Sequence, residues 1–310
     1  MTRRRFLQQA GAAASAWAAG PRLDLALPGT LPNPVGYSII SWPPEEFPQA
    51  LETVSSLGYQ GVQLLGWVQE AYPGNKATEL KDRLQKLKLS PAALSCSKVS
   101  LRPGSPETFA AKFREYADFL QSLGGNVLQI IDGGKPRGDY SASEIKSLGA
   151  SMNELGKVAK DLGLTVGYHP HFRTLGETRE GLGRVLDVTD SQYVGLIADV
   201  AHLKLGGSDP AEVVRTYHQR LILVHLKDVR RDAYELARRN HDAVGKLNAR
   251  FCEIGHGVVD FPAVTATLRE IRYQGWVIVE LDHFEASPGG PAQSARINKD
   301  ALLSLGFNLQ

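Results

Sequence analysis

From Val35 onward, short apolar runs alternate with longer amphipathic stretches along the whole chain. The runs Val35–Ile40, Gly61–Leu65, Ala92–Cys96, Asn126–Ile131, Thr165–His169, Val194–Asp199, Leu221–Leu226 and Trp276–Leu281 are too short for helices. They are rich in Val, Ile and Leu, as strands buried on both faces are. Between them the spacing is helical. Phe47, Leu51, Val54 and Leu57 place one apolar stripe on Glu45–Leu57, and Phe113, Ala117 and Leu120 do the same on Phe109–Leu123. Thr78–Leu87, Ser143–Leu162, Thr178–Val188, Pro210–Tyr217, Phe261–Ile271 and Ala292–Leu305 complete the helical series. Gly58, Gly124-Gly125 and Gly163 stop three of these helices.

Eight strand–helix units in succession predict a parallel sheet with its crossover helices outside, and closure gives a single-domain α/β (β/α)8 TIM barrel. An open doubly wound sheet would carry a glycine-rich turn after its first strand. Here that strand runs into Ser38-Ile39-Ile40-Ser41-Trp42-Pro43. The loop after strand seven, Asp228 to Val259, is long; it holds a predicted helix, Asp232–Asn240, and the pair Gly255-His256-Gly257. Long βα loops lie over the functional mouth of a barrel, so this one is expected to act as a lid.

Composition changes this picture little. The 310 residues carry a net charge of +2, which gives no field for nucleic acid or a membrane surface, and the two cysteines do not indicate a disulfide framework. The N-terminus changes it more. Thr2-Arg3-Arg4-Arg5-Phe6-Leu7 precedes an uncharged, Ala-rich stretch from Ala10 to Gly20, with Ala16-Trp17-Ala18 at its exit. A basic head, a short apolar run and small residues describe an export signal of twin-arginine type, too short to span a bilayer. Residues 1–30 are therefore expected to be signal and linker, residues 31–310 the barrel. The expected location is the periplasm, reached through the twin-arginine machinery, with no membrane span after processing.

Polar side chains at the C-terminal ends of barrel strands converge on one mouth. Strand five ends Tyr168-His169-Pro170-His171, and strand six ends at Asp199 with His202 close behind. Strand seven ends His225-Leu226-Lys227-Asp228, and strand eight Glu280-Leu281-Asp282-His283. Four consecutive strands thus deliver imidazoles and carboxylates to one ring. That mixture suits zinc, manganese, iron or cobalt better than magnesium. The expected ligands are His169, Asp199, His225 and Glu280, one per strand.

Gly-Tyr-His-Pro-His at 167–171, Asp199 with His202, Val-His-Leu-Lys-Asp-Val-Arg at 224–230, the stretch from Gly255 to Phe261, and Gly275-Trp276 ahead of Glu280 follow in order. Together they resemble the xylose isomerase-like sugar isomerase and epimerase superfamily, most of all its inosose dehydratase-like branch, from about Val35 to the C-terminus. The resemblance implies a metal set of Glu, Asp, His and Glu from successive strands. Asp199, His225 and Glu280 match it. The first Glu has no match, which leaves open whether His169, His171 or neither binds the metal, and Gln63 stands on strand two where relatives often have Glu.

The resemblance also implies chemistry. A divalent metal supports removal of a proton next to a carbonyl, and the resulting enediolate is isomerised, epimerised or dehydrated. Glu280 and His202 are the candidate bases, with Lys227 or Lys98 beside the oxyanion. Trp42 and Trp67 are placed to stack on a sugar or to fill the barrel top. His171, Arg230 and His256 are the remaining candidate substrate contacts, and Cys96 reads as a core thiol. The expected substrate is a keto-sugar or keto-cyclitol, with no nucleic-acid partner, and nothing in the sequence precludes a homo-oligomer. Two other readings share this barrel: a non-catalytic periplasmic sugar-binding protein, and a metal phosphodiesterase of the endonuclease IV lineage.

Overall fold

The computed structural model describes residues 30–103, 109–135, 138–244, 247, 250–282 and 288–310. The export-signal reading falls within residues 1–29, outside the described residues, as does His283. The strands are β1 (Val35–Ser38), β2 (Gly61–Leu65), β3 (Ser90–Leu101), β4 (Val127–Asp132), β5 (Thr165–Tyr168), β6 (Val194–Asp199), β7 (Leu221–Leu226) and β10 (Trp276–Val279). They close into a barrel in the order β1-β10-β7-β6-β5-β4-β3-β2, every pair parallel. The fold is the expected (β/α)8 barrel.

The helices are α1 (Phe47–Ser56), α2 (Gly66–Ala71), α3 (Asn75–Lys86), α4 (Ala110–Leu123), α5 (Ala142–Asp161), α6 (Arg179–Asp187), α7 (Val200–Leu205), α8 (Pro210–Thr216), α9 (Arg231–Arg239), α10 (His241–Val244), α11 (Phe261–Glu270) and α12 (Gly290–Ser304). Predicted helix ends fall within a few residues of these. Gly58 and Gly124 stop helices in left-handed conformations, at φ of 86° and 87°. Ser141 and Glu144 form a reciprocal cap at the start of α5, a device that contributes about 1 kcal/mol.

Four departures from the sequence reading have local causes. The helices α2 and α7 follow strand ends directly and are too short to show a 3.6-residue period. β1 stops at Ser38 because Ile39–Ser41 tightens into a 3-10 turn. β3 continues to Leu101, past the predicted Cys96, after a register shift against β4. In the long loop, the strands β8 (Asp228–Val229) and β9 (Phe251–Cys252) pair into an antiparallel ribbon.

Side chains alternate along a strand, so residues two apart share a face. Ile197, Leu223 and Ile278 pack with Ala92, Ala93 and Val127 inside the lower barrel. Two residues further along the same strands stand Asp199, His225 and Glu280. The period that builds the apolar layer therefore lifts the polar set directly above it.

Candidate metal centre and active site

The atoms of this layer converge on one point. His169 Nε2 lies 3.5 Å from Asp199 Oδ2, and His225 Nδ1 lies 3.6 Å from the same oxygen and 3.7 Å from Glu280 Oε2. His169, Asp199, His225 and Glu280 are all buried. His169 Nε2, Asp199 Oδ2 and His225 Nδ1 have no hydrogen-bond partner among the described residues. A buried lone pair without a donor is costly; the Lys227 ammonium stands 3.3 Å from Asp199 Oδ2, but the two imidazole nitrogens aimed at that oxygen have no donor and call for a shared cation. Ligands about 2.0–2.2 Å from a tetrahedral ion stand roughly 3.3–3.6 Å apart, close to the spacing found. The residues present fit a divalent metal.

His202 lies in the same cluster, its donor atom within 4.8 Å of those of His169, Asp199 and Glu280. Each of its ring nitrogens faces a donor. The Phe172 amide donates to His202 Nδ1 at 3.2 Å. Burial, with His171 close by, holds the ring neutral well below the ordinary histidine range. Its Nε2 lies 3.9 Å from Asp199 Oδ2 and 3.4 Å from Lys227 Nζ, so an amide and an ammonium, both donors, face its two nitrogens and a neutral ring accepts from one of them. Burial likewise pushes His169 down to about 4, leaving it neutral at physiological pH.

Lys227 is the counter-ion. Its Nζ lies 2.7 Å from Glu280 Oε1, 3.0 Å from Asp282 Oδ1 and 3.3 Å from Asp199 Oδ2. Burial alone would lower its pKa, but the carboxylates of Asp199, Asp282 and Glu280 outweigh burial and hold it above the ordinary lysine range. Burial alone would raise Asp199 and Glu280; Lys227 holds both below the usual carboxylate range. The neighbouring imidazoles are neutral at His169 and His202, so the ammonium carries this effect. Three carboxylates and one ammonium leave a net charge of −2, which a divalent ion neutralises.

The long loop after β7 closes over this group. The Asp228 carboxylate accepts backbone N–H bonds from Val229, Gly255, Gly257, Val258 and Val259, at 2.7–3.0 Å. A side chain at 257 would run into Val229 O and Asp228, so glycine is needed there. Further along the loop, His241 Nε2 meets Glu177 Oε2 at 2.8 Å. Between these anchors, Phe251 lays its ring 4.6 Å from Lys227 Nζ and 5.1 Å from the His202 ring. Opposite, the loop after β5 is pinned by buried Asp132, which accepts from Tyr168 Oη at 2.7 Å and from the Leu175 amide at 2.9 Å.

The remaining sequence candidates are placed as follows. His171 stacks on His202 with centroids 3.7 Å apart, and its Nδ1 donates to Phe172 O at 2.9 Å. Trp42 is buried against Tyr37, and Trp67 packs edge-on to Phe47, so both serve the core. Arg230 makes an exposed ion pair with Asp232 at 3.0 Å, and His256 is exposed on the lid; neither joins the cluster. The Lys98 side chain lies outside the described residues. Cys96 is buried, and burial pushes its thiol up, away from nucleophilic use. The sequence reading gave no role to Asp282, although it stands two residues past Glu280 and so shares its inward face. It gave none to Phe251 either, and no local signal marked that residue.

The fold and the site together define a class. The chain belongs to the xylose isomerase-like TIM barrel family, whose sequence pattern matches residues 51–302. Among characterised proteins it is similar to the inosose dehydratase of Lacticaseibacillus casei, 28% identical over 298 residues that cover 87% of this chain and 97% of that one. The inosose dehydratase of Clostridium tetani is 29% identical over 273 residues, covering 80% and 89%. Among solved structures the fold is shared with the IOLI protein with a bound zinc atom (TM-score 0.70, 18% identity, 88% and 97% covered). It is shared too with a probable 3-DHS dehydratase of Bacillus anthracis (TM-score 0.72, 14% identity, 87% and 98% covered).

Proposed function

We propose that this chain is a metal-dependent isomerase, epimerase or dehydratase of a keto-sugar or keto-cyclitol. The chain is an enzyme of the sugar isomerase, epimerase and dehydratase class, and its inosose dehydratase relatives favour the cyclitol and the dehydration. The observation that carries the reading is the convergence of His169 Nε2 and His225 Nδ1, both without partners, on Asp199 Oδ2 and beside Glu280 Oε2.

The metal, when bound, supplies Lewis-acid stabilisation of charge developing on substrate oxygen. The side chains do the rest. The Lys227 ammonium, with His202 beside it, is a donor aimed at the centre and holds substrate oxygens in register. Glu280, kept ionised by Lys227, takes the α-proton at Oε1. Phe251, over Lys227, excludes water from that proton. Loss of the β-hydroxyl as water, carrying the proton Glu280 has taken, then completes dehydration, whereas protonation of the carbon from the other face by a second acid completes epimerisation.

His171, His202 and Asp282 could form a second ligand group, with the Lys227 ammonium 3.4 Å from His202 Nε2 and 3.0 Å from Asp282 Oδ1.

Export to the periplasm by the twin-arginine route belongs to this proposal, supported by Arg3-Arg4-Arg5-Phe6-Leu7 and the Ala-rich stretch. Cell fractionation with Arg4 and Arg5 replaced by Lys tests it; unchanged periplasmic recovery counts against this route. The catalytic reading is tested by incubating the protein with keto-inositols and keto-glycosides in deuterated water. Deuterium should enter at the α-carbon, and Glu280→Gln should reduce the rate by at least ~100-fold. Full exchange in that variant would remove Glu280 from the mechanism. Tight binding with no exchange in the wild type would instead favour the sugar-binding reading.

A further inference from the structure

Gln63 sits on β2, wholly buried inside the barrel, and touches two of the four proposed ligands at once. Its Nε2 lies 2.9 Å from Glu280 Oε2, and its Oε1 lies 2.7 Å from His225 Nε2. The proton arrangement follows from donor and acceptor types alone. An ionised carboxylate only accepts, so the amide NH2 must face Glu280. The amide oxygen must then face His225, and an oxygen only accepts. His225 therefore carries its proton on Nε2. Its Nδ1 is left with a lone pair, and Nδ1 is the atom that stands 3.6 Å from Asp199 Oδ2 and 3.7 Å from Glu280 Oε2 with no partner of its own.

We infer that Gln63 is a positioning residue of the metal centre: its side-chain amide selects the Nδ1-ligating tautomer of His225 and, through its other end, fixes the orientation of the Glu280 carboxylate. The inference deepens the metal reading above and rests on it. Among common side chains of this length, only an amide both accepts from an imidazole and donates to a carboxylate. Glutamate at 63 would still accept from His225 but would set a second carboxylate against Glu280. Methionine would fill the space and make neither bond. Outer partners of this kind commonly govern ligand affinity by 10–100-fold.

The test uses the full chain as wild type, Gln63→Met and Gln63→Glu, with circular dichroism and thermal melts to select conditions where each is folded. Two readouts are taken. The first is the 15N chemical shift pattern of His225 in metal-free protein, which reports the tautomer with neither metal nor substrate present. The second is the Zn2+ dissociation constant from chelator competition. The wild type should show His225 protonated at Nε2. Gln63→Glu should keep that tautomer and bind zinc more weakly by about 10-fold. Gln63→Met should lose the single tautomer and bind at least about 10-fold more weakly. A wild-type 15N pattern and wild-type affinity in Gln63→Met would overturn the inference. So would a wild-type His225 protonated at Nδ1. A wild type that binds no zinc but shows the Nε2 tautomer would count against the metal reading while sustaining the assignment of Gln63 to the tautomer.

Discussion

Replacing Lys227 by Met removes the single positive charge that three buried or part-buried carboxylates share. Its contacts with Glu280 at 2.7 Å, Asp282 at 3.0 Å and Asp199 at 3.3 Å are each worth roughly 5–6 kcal/mol at an effective dielectric of ~20. Dehydrating the ions offsets much of that. Removing one partner of a buried ion pair costs about 3–5 kcal/mol, because the charge left behind is buried and uncompensated. At about 2 °C per kcal/mol for a chain of this size, the metal-free variant should melt ~6–10 °C below the wild type. A divalent ion restores much of the missing positive charge, so the gap should narrow when metal is added. The metal-induced rise in melting temperature should therefore be larger in Lys227→Met than in the wild type. Differential scanning calorimetry of both proteins, metal-free and metal-loaded, measures this directly. A metal-free variant within about 2 °C of the wild type, or an equal metal-induced rise in both, would refute the counter-ion assignment.

Acid should weaken the metal-free protein through His169. Its folded pKa of about 4 lies below the ordinary 6.5 because of burial, so the unfolded chain takes up the proton first as pH falls. The stability from this group is complete above 6.5, is lost between 6.5 and about 4, and amounts to roughly 3 kcal/mol. Melting temperatures across that range should fall in the wild type and fall less in His169→Asn; equal slopes would contradict the neutral, buried assignment. Phe251→Ala should open the space above Lys227 and raise KM about 10-fold, with kcat changed less if Phe251 mainly seals the bound substrate. An unchanged KM would show that the lid aromatic does not meet substrate.

The barrel was legible because both periodicities are strong. Gly61–Leu65, Val194–Asp199 and Leu221–Leu226 were read to the residue, and β6 and β7 carry two of the proposed ligands. Position at a strand end and a two-residue alternation put His169, Asp199, His225 and Glu280 at one mouth, and the structure brings their side chains together there. Asp282 and Gln63 obey the same alternation, but one polar residue on one strand carries no sign of what it faces across the barrel. That a lysine could be buried among carboxylates, as Lys227 is, follows only from strands distant in sequence meeting at one mouth. Phe251 reaches the site because Asp228 gathers the amides of Gly255, Gly257, Val258 and Val259 and the β8–β9 ribbon turns the loop inward. The two tryptophans show the opposite limit, since an aromatic at a strand end serves the core as readily as a ligand.

The central claim is that His169, Asp199, His225 and Glu280 hold one divalent ion. Elemental analysis of the purified chain, wild type beside Asp199→Asn and His225→Ala, tests it most directly. The account predicts about one equivalent of zinc, manganese, iron or cobalt in the wild type and loss of that metal in both folded variants. Metal absent from the wild type even after reconstitution, or retained in full by both variants, would contradict it.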